Sequence, residues 1–293
     1  AISLSGELDF EAWQAAVAQV IERHEVLRTV FQKAGEDNEV RQFIIPANVF
    51  APDWTIEDLR DEANALEIVT NKVAETAVLP FDLENGPLIR LSAFQLDNQQ
   101  WIFGYCMHHI ISDGWSMQVL ATDVLQAYEA VRKGNSQVRE SLAFQYKDFA
   151  VWEQSADQVD AQAQAKSFWL EQFSGELPTL QIPADRSRPA IKTYAGANQI
   201  IDFSRETSTA LHALCETENA TLNMVLIAAV NVLLHKYSAQ DDLILGYPIA
   251  GREHAELAEQ MGFYLNTLAL RTQVSTEESF ASLLKRTKTQ LVE

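Results

Sequence analysis

The chain begins with two different spacings of apolar residues. Between residues 8 and 28 they recur at helical spacing, and Asp9 is placed to cap the predicted helix at its N-terminus. The apolar positions that define this helix are Trp13, Val17, Val20 and Ile21. Two short segments follow, LRTVFQ at 27–32 and RQFII at 41–45, which flank the turn-like AGEDNE and predict a β-hairpin.

The next part of the chain predicts a helix, two strands and a second helix. Residues 55–81 are acidic and amphipathic, as expected of a helix with one solvent-facing side. The segments 86–96 and 99–110 are mainly apolar and are separated by the turn-like DNQ, so they predict paired strands. A second helix is expected over 113–134, where Gly134 provides a stop.

The chain is long enough for two packed units. At 293 residues it exceeds the size of one ordinary compact core. The charged, glutamine-rich stretch 153–166 marks the expected boundary, which divides the chain into units 1–155 and 156–293. In the second unit, helices are expected around 206–218 and 221–236, followed by a strand in DLILGYPIA. This mixture of helices and strands indicates a layered α/β or α+β fold.

Composition narrows the classes of partner. The formal net charge of −19 argues against binding to nucleic acid or to an anionic membrane. The most apolar stretch, 222–234, is interrupted by Asn223 and Asn231 and predicts a buried core helix rather than a membrane span. Cys106 and Cys215 fit neither a disulfide framework nor a zinc site, which indicates a reducing, cytoplasmic setting.

Two adjacent histidines close the second of the paired strands, in YCMHHIISDGWSM. If the strand persists to its end, His108 and His109 lie on opposite faces, so only one of them can face a given cleft. Diverging imidazoles do not easily chelate one ion, and no HExxH or CxxC pattern lies near, so we expect no metal site. Asp113 stands where the following helix needs an N-cap, and Gly114 allows close backbone approach. From this pattern alone, a packed histidine beside a plain helix cap remains an alternative to a catalytic site.

The catalytic interpretation depends on where the imidazole stands. An imidazole beside a helix N-terminus can handle a proton on a nucleophile, and the helix end favours developing negative charge. The sequence has no GxSxG nucleophile elbow, and neither cysteine is an obvious nucleophile. We therefore expect direct transfer between two substrates, without a covalent enzyme intermediate.

The segment MHHIISDGWS resembles the HHxxxDG signature of the condensation domains of nonribosomal peptide synthetases, whose superfamily includes chloramphenicol acetyltransferase. Further segments resemble family motifs in the same order: Arg23–Phe31, Pro80–Leu91, Tyr146–Gln154, Ile182–Ala190 and Leu245–Arg271. The resemblance implies an α+β sandwich of two chloramphenicol acetyltransferase-like subdomains, which form a V-shaped pseudo-dimer with a central cleft. The family's first motif would precede ISLSGELD and its last motifs would follow Glu293, so a domain that is partial at both ends is expected.

The activity implied by the resemblance is amide bond formation between a donor acyl or peptidyl thioester and the α-amine of an acceptor aminoacyl thioester. Both substrates would be carried on the phosphopantetheine arms of donor and acceptor carrier proteins, with an adenylation domain as neighbour and no cofactor bound directly. A stand-alone acyltransferase that uses coenzyme A and an inactive, condensation-like recruitment domain remain alternatives. Epimerisation and heterocyclisation domains are disfavoured, because Gly114–Ser116 and both histidines are present.

The resemblance, the strand alternation and the chemistry of the side chains together give each residue of the signature an expected role. His109 faces the reaction as a hydrogen-bonding positioner that takes the amine proton, whereas His108 belongs to the same catalytic motif but points into packing. Asp113 supports the loop by pairing with an arginine, for which Arg28 and Arg252 are both candidates. The residues expected beside the substrates are Gly114, which leaves room for the acceptor, and the channel residues Trp115, Ser116 and Asn266.

Overall fold

The structure, a computed structural model, describes residues 1–134, 140–187, 189–191, 193 and 196–292. Arg188, which belongs to the loop motif at Ile182–Ala190, lies outside the described residues.

The chain divides into two units that are not contiguous in sequence. They comprise Ala1–Asp160 with Ala250–Asn266, and Ala161–Ile249 with the residues from Thr267 onward. The expected division after residue 155 differs from this arrangement, since the segment Ala250–Asn266 belongs to the first unit. The physical reason is that Arg252 in this segment forms a buried ion pair with Asp113.

The first unit is built around a four-stranded sheet. Its helices and strands are β1 (Ile2–Ser5), α1 (Phe10–Arg23), β2 (Thr29–Ala34), β3 (Glu39–Ile44), β4 (Asp53–Asp58), α2 (Ala65–Val78), β5 (Ile89–Asp97), β6 (Gln100–Met107), α3 (Gly114–Arg132) and α4 (Tyr146–Glu153). The strand order is β1-β6-β5-β4, in which only β4 and β5 run parallel. Strands β2 and β3 form the predicted hairpin as a separate antiparallel pair.

Both faces of the four-stranded sheet are covered. Alternation along β6 sends Trp101 and Phe103 into the main core with residues of α1 and α3, and sends Ile102 into a smaller cluster with Val69 of α2. The predicted N-cap of α1 is present, because the Asp9 side chain accepts a hydrogen bond from the backbone amide of Ala12 at 3.0 Å. This packing fixes β6, and the turn that carries the two histidines follows directly from its end.

The helix predicted over 55–81 forms only over Ala65–Val78. The first residues of the predicted segment belong instead to β4, because Asp53–Asp58 pair in parallel with β5 and Trp54 packs against the main core. Parallel pairing joins segments that are distant in sequence, so the local spacing of apolar residues does not reveal it.

The second unit has a smaller sheet and a smaller core. Its helices and strands are α5 (Val159–Gln172), α6 (Arg205–Thr217), α7 (Leu222–Ser238), β7 (Asp242–Ile249), β8 (Asn266–Gln273) and α8 (Phe280–Val292). The predicted helices around 206–218 and 221–236 and the strand in DLILGYPIA are therefore confirmed as α6, α7 and β7. Strands β7 and β8 pair with each other. The buried apolar residues are Val225, Ala228, Leu243, Val274, Leu283 and Leu284.

Helix α7, predicted as a buried core helix, is buried on one side only. Val225, Ala228 and Asn231 are buried. An apolar stripe along the rest of the helix is exposed, and it consists of Leu222, Leu226, Val230, Leu233 and Tyr237. Within the described ranges, no single helix has the length and hydropathy of a membrane span, and α6 and α7 pass that test only as a pair bent by 105°.

Candidate active site at the end of strand β6

The two histidines lie beyond the strand, at the start of a short 3₁₀ turn that His108 caps. Strand β6 ends at Met107, and the turn spans His109–Ile111. The strand alternation therefore does not set the direction of the two side chains, which corrects the sequence argument. His108 begins the turn, and its Nδ1 accepts a hydrogen bond from the backbone amide of Ile110 at 3.0 Å. Its half-buried ring also lies perpendicular to that of Phe81, with the ring centres 5.9 Å apart.

His109 has a different environment. Its side chain is exposed, and its imidazole forms no hydrogen bond with any residue that the structure describes. The aromatic neighbour of the ring is Phe263, whose centre lies 5.0 Å away at an interplanar angle of 86°. When neither ring nitrogen of a neutral imidazole is hydrogen-bonded to the protein, one nitrogen can accept a proton and the other can donate one.

Asp113 is the structural centre of the site. Its carboxylate caps α3 by accepting from the backbone amide of Ser116 at 2.8 Å, and it also lies 2.7 Å from the Ser116 hydroxyl oxygen. The same carboxylate accepts from Nη2 of Arg252 at 3.2 and 3.3 Å and from the backbone amide of Tyr264 at 3.2 Å. Because Asp113 is 4% exposed and its oxygens are engaged in this way, we assign it a structural rather than a proton-carrying part.

Arg252 is the arginine that pairs with Asp113. Besides this ion pair, its Nη1 donates to the carbonyl oxygens of Leu257 and Gln260, at 2.5 and 2.8 Å. Its guanidinium carbon lies 4.0 Å from the centre of the Tyr264 ring. Arg252 therefore holds the segment Ala250–Asn266 in a bent shape against the start of α3.

Arg28, the other candidate, serves a separate part of the first unit. Its Nη1 donates to the carbonyl oxygen of Ile45 at 2.7 Å, and its Nη2 donates to that of Glu22 at 3.4 Å. The structure therefore does not bring Arg28 to Asp113, and the predicted pairing is decided in favour of Arg252.

Ser116 is fully buried, which differs from its predicted place along a substrate channel. Its hydroxyl oxygen lies 3.0 Å from the carbonyl oxygen of Gly262 and accepts from the Gly262 amide at 3.1 Å. An exposed position is excluded because the hydroxyl fills the space between Asp113, Arg252 and Gly262. Ser116 thus belongs to the scaffold that supports the site.

The segment around Gly262 packs against the site through residues that the sequence argument did not single out. A Cβ atom at Gly262 would lie 2.3 Å from the Tyr146 ring, so only glycine allows this close approach. The Tyr146 hydroxyl donates to the Phe263 carbonyl oxygen at 3.0 Å. Both positions lie inside segments that resemble family motifs, but the residues themselves carried no signal that they would meet.

The remaining predicted residues lie at two places. Gly114 and Trp115 are exposed at the first turn of α3, and a Cβ atom at Gly114 would meet nothing within 4 Å. The Trp115 indole donates to the carbonyl oxygen of Ala258 at 2.9 Å. Asn266 is exposed at the start of β8. Contact of these residues with a substrate stays a prediction.

Two tyrosines, the half-buried Tyr146 and the buried Tyr264, complete the scaffold. Burial raises the pKa of Tyr146, and the nearby carboxylates of Glu153 and Asp113 raise it further. Burial is also the main cause that raises the pKa of Tyr264, whose hydroxyl lies 2.5 Å from Oε1 of Gln260. Both phenols therefore stay protonated near neutral pH and act as hydrogen-bond donors. Among the described residues, no group of three or more His, Cys, Asp or Glu side chains is arranged to hold a metal ion.

Comparison with known proteins places this chain in a family. The family model of the condensation domain matches residues 1–293. One of the linear gramicidin synthase proteins from Brevibacillus parabrevis is 40% identical over 291 residues, which is 98% of this chain and 6% of that protein. Tyrocidine synthase 3 from the same organism is 37% identical over 288 residues, which is 98% of this chain and 4% of that protein. The chain thus spans a small part of these curated relatives.

Solved structures show the same fold. The X-domain from teicoplanin biosynthesis, also solved in complex with OxyB, has a TM-score of 0.84 and 28% identity over 99% of this chain and 64% of its own. The first condensation domain of the calcium-dependent antibiotic synthetase, in complex with a substrate analogue, has a TM-score of 0.80 and 21% identity over 99% of this chain and 67% of its own. These likenesses confirm the predicted α/β fold class. Because the family model matches this chain from residue 1 to residue 293, the chain belongs to the condensation domain family.

Proposed function

We propose that this chain catalyses the condensation step of a nonribosomal peptide synthetase. The main support is a contrast between two parts of the site. The imidazole of His109 is exposed and forms no hydrogen bond with the described residues. Asp113, Ser116 and Arg252 form a buried, hydrogen-bonded scaffold beside it. Such an arrangement holds the backbone of the site rigid and leaves one imidazole for substrate. The family match and the names of the gramicidin and tyrocidine synthase relatives support the same function.

The proposed reaction joins the acceptor amine to the donor acyl group. The amine nitrogen attacks the thioester carbonyl carbon, the carbon–nitrogen bond forms, and the carbon–sulfur bond breaks. His109 accepts the proton that the amine loses, and this proton can return to the departing thiolate, so atoms and charge balance. An α-amine has a pKa of about 8, so a useful fraction is neutral at pH 7 without prior activation. Positioning the amine and taking its proton during attack are therefore the main tasks of His109.

The proposed partners follow from the substrates. Donor and acceptor carrier proteins would present the two thioesters on phosphopantetheine arms, and an adenylation domain would be a neighbour. The cytoplasmic location inferred from the two cysteines stays a prediction.

A recruitment role is the second candidate. The observation in its favour is that the teicoplanin X-domain, which has the same fold and is 28% identical, has been solved in complex with OxyB. In that case the chain would bind a partner protein without forming an amide, and substitution of His109 would not affect binding.

The test is amide formation from two loaded carrier proteins. Replacing His109 with alanine is expected to lower the rate by about 10²–10⁴-fold, because proton handling in the transition state is typically of that size. Circular dichroism should show an unchanged melting temperature, since the side chain is exposed.

His108→Ala is the matched control. It is expected to lower the free energy of unfolding by roughly 1 kcal/mol through loss of the hydrogen bond to the Ile110 amide. Amide formation should fall less than in His109→Ala. Equal losses of activity in two well-folded variants would contradict this division of roles, and amide formation that survives His109→Ala would contradict the proposed mechanism.

A further inference from the structure

We infer that Phe263 is a positioning residue for His109, an inference that rests on the proposed function and extends it. The Phe263 ring holds the imidazole in one orientation, and the segment Gly262–Tyr264 fixes the Phe263 ring in turn. Phe263 therefore acts on the reaction through His109.

The first ground is that the contact with Phe263 has no substitute. The His108 imidazole is anchored by a hydrogen bond from the Ile110 amide. Among the described residues, no hydrogen bond does the same for His109, whose ring lies perpendicular to that of Phe263 with the centres 5.0 Å apart. Perpendicular aromatic pairs at this distance are attractive. An exposed imidazole without such a neighbour would sample several side-chain rotamers.

The second ground is that the backbone of Phe263 is held on both sides. The amide of Gly262 donates to the Ser116 hydroxyl, and the amide of Tyr264 donates to the Asp113 carboxylate. Between them, the carbonyl oxygen of Phe263 accepts from the Tyr146 hydroxyl.

These hydrogen bonds connect the backbone around Phe263 to the start of α3, which follows the turn that carries the histidines. Asp113 lies four residues after His109 and caps α3. The backbone that carries the Phe263 ring is therefore hydrogen-bonded to the same buried scaffold that supports the turn carrying His109. A ring held in this way can restrain a flexible side chain, whereas a ring on a loose loop cannot.

The third ground is the exposure of Phe263. Its side chain is 39% exposed, and it belongs to none of the buried clusters of the first unit. A ring in that position contributes less to the core than a buried one. Its substitution should therefore act on His109 more than on stability, which makes the inference testable.

The direct test measures the rotamer of His109 by three-bond NMR couplings between its α and β protons in histidine-labelled protein. In the unsubstituted protein, His109 should show one dominant rotamer. In Phe263→Ala and Phe263→Leu, its couplings should average, while those of His108 stay unchanged. The leucine variant keeps apolar bulk and provides the answer if the alanine variant does not fold.

The matched control is Phe81→Leu, which removes the ring beside His108 and should leave the His109 couplings as they are. A single His109 rotamer that persists in the Phe263 variants would overturn the inference. So would equal averaging of His109 in the Phe81 variant.

Kinetics provide the second readout. The Phe263 variants should form amide about three- to tenfold more slowly at saturating substrate, with little change in KM and an unchanged melting temperature. A parallel fall in melting temperature and rate, with one His109 rotamer kept, would show a merely structural residue. If the unsubstituted protein forms no amide, the proposed function fails, but the couplings still decide whether Phe263 orients His109.

Discussion

Two arginine–aspartate pairs, one in each unit, are built from the same parts and differ mainly in burial. In the first unit, Arg252 pairs with Asp113, and both side chains are 2% exposed. In the second, Arg271 of β8 pairs with Asp242 of β7, and the side chains are 19% and 25% exposed. Each arginine also donates to backbone carbonyl oxygens of a neighbouring bend. From this difference we expect burial, more than the number of hydrogen bonds, to determine how much stability is lost when one partner is removed.

The arginine of the more exposed pair is also extensively hydrogen-bonded. Arg271 engages Asp242 through Nε at 3.1 Å and Nη2 at 2.7 Å. It also donates to the carbonyl oxygens of Gln172, Ser174 and Glu176, at 3.1–3.2 Å. Water can reach this site and replace any of these bonds, whereas a charge left alone beside α3 would have no such substitute.

The largest effect is expected from breaking the buried pair. Arg252→Met and Asp113→Asn should each lower the free energy of unfolding by about 3–5 kcal/mol, because the remaining group stays buried without its partner. Amide formation should fall with stability, since the turn that carries His109 precedes Asp113. Urea unfolding of both variants measures the effect. A variant with an unchanged midpoint and lost turnover would favour a direct chemical role for Asp113.

A smaller, pH-dependent effect is expected from the pair in the second unit. Hydrogen bonds from Arg271 hold the pKa of Asp242 below its ordinary value. A carboxyl group with a lowered pKa in the folded state stabilises the protein at pH values above its unfolded pKa of about 3.9, and this stabilisation is lost as the pH falls through the folded pKa. Asp242→Asn should therefore cost about 1 kcal/mol or less near neutral pH, given partial exposure.

The comparison is made by unfolding the Asp242→Asn and unsubstituted proteins over a range of pH. The difference between their free energies of unfolding should shrink as the pH falls below about 4. A difference as large as that for Asp113→Asn, or one that is independent of pH, would remove the distinction between the two pairs.

The smallest effect is expected from a third pair, which lies on the surface. Arg60 and Asp58 are 44% and 54% exposed, and hydrogen bonds from Arg60 lower the pKa of Asp58 to about 2. Arg60→Ala should raise the pKa of Asp58 toward its ordinary value, as followed by the carboxyl carbon in NMR, while the backbone amide at position 60 still donates to the carboxylate. The melting temperature should stay unchanged, because an exposed pair contributes little to stability. A clear loss of stability would show that exposure is a poor guide to these pairs.

Local spacing of apolar residues predicted the elements that carry the site. Helix α3, strands β5 and β6, and the Asp113 cap all follow from segments of fewer than 25 residues. The same reasoning missed β4, since its partner β5 lies more than 30 residues away along the chain. Its premise for the two histidines does not hold either, because the strand ends at Met107, two residues earlier than the alternation required.

The choice between Arg28 and Arg252 could not come from the sequence. Both side chains lie largely out of solvent in the first unit, and both donate to backbone carbonyl oxygens. Only the position of the segment Ala250–Asn266 distinguishes them, and that position depends on contacts between residues 139 apart. The exposed stripe of α7 has a similar cause, since apolar residues occur around the whole helix and spacing alone does not tell which side is buried.

The separation of Asp113 and Arg252 has a consequence for protein synthesis. These residues lie 139 positions apart, and a ribosome that adds roughly 5–20 residues per second makes Arg252 about 7–28 s after Asp113. During that interval the nascent first unit can form its sheet and helices, but the carboxylate at the start of α3 remains in water. The histidine turn therefore acquires its final support only after most of the second unit has been translated. Vectorial synthesis thus delays assembly of the reactive turn until long after its own residues have been made.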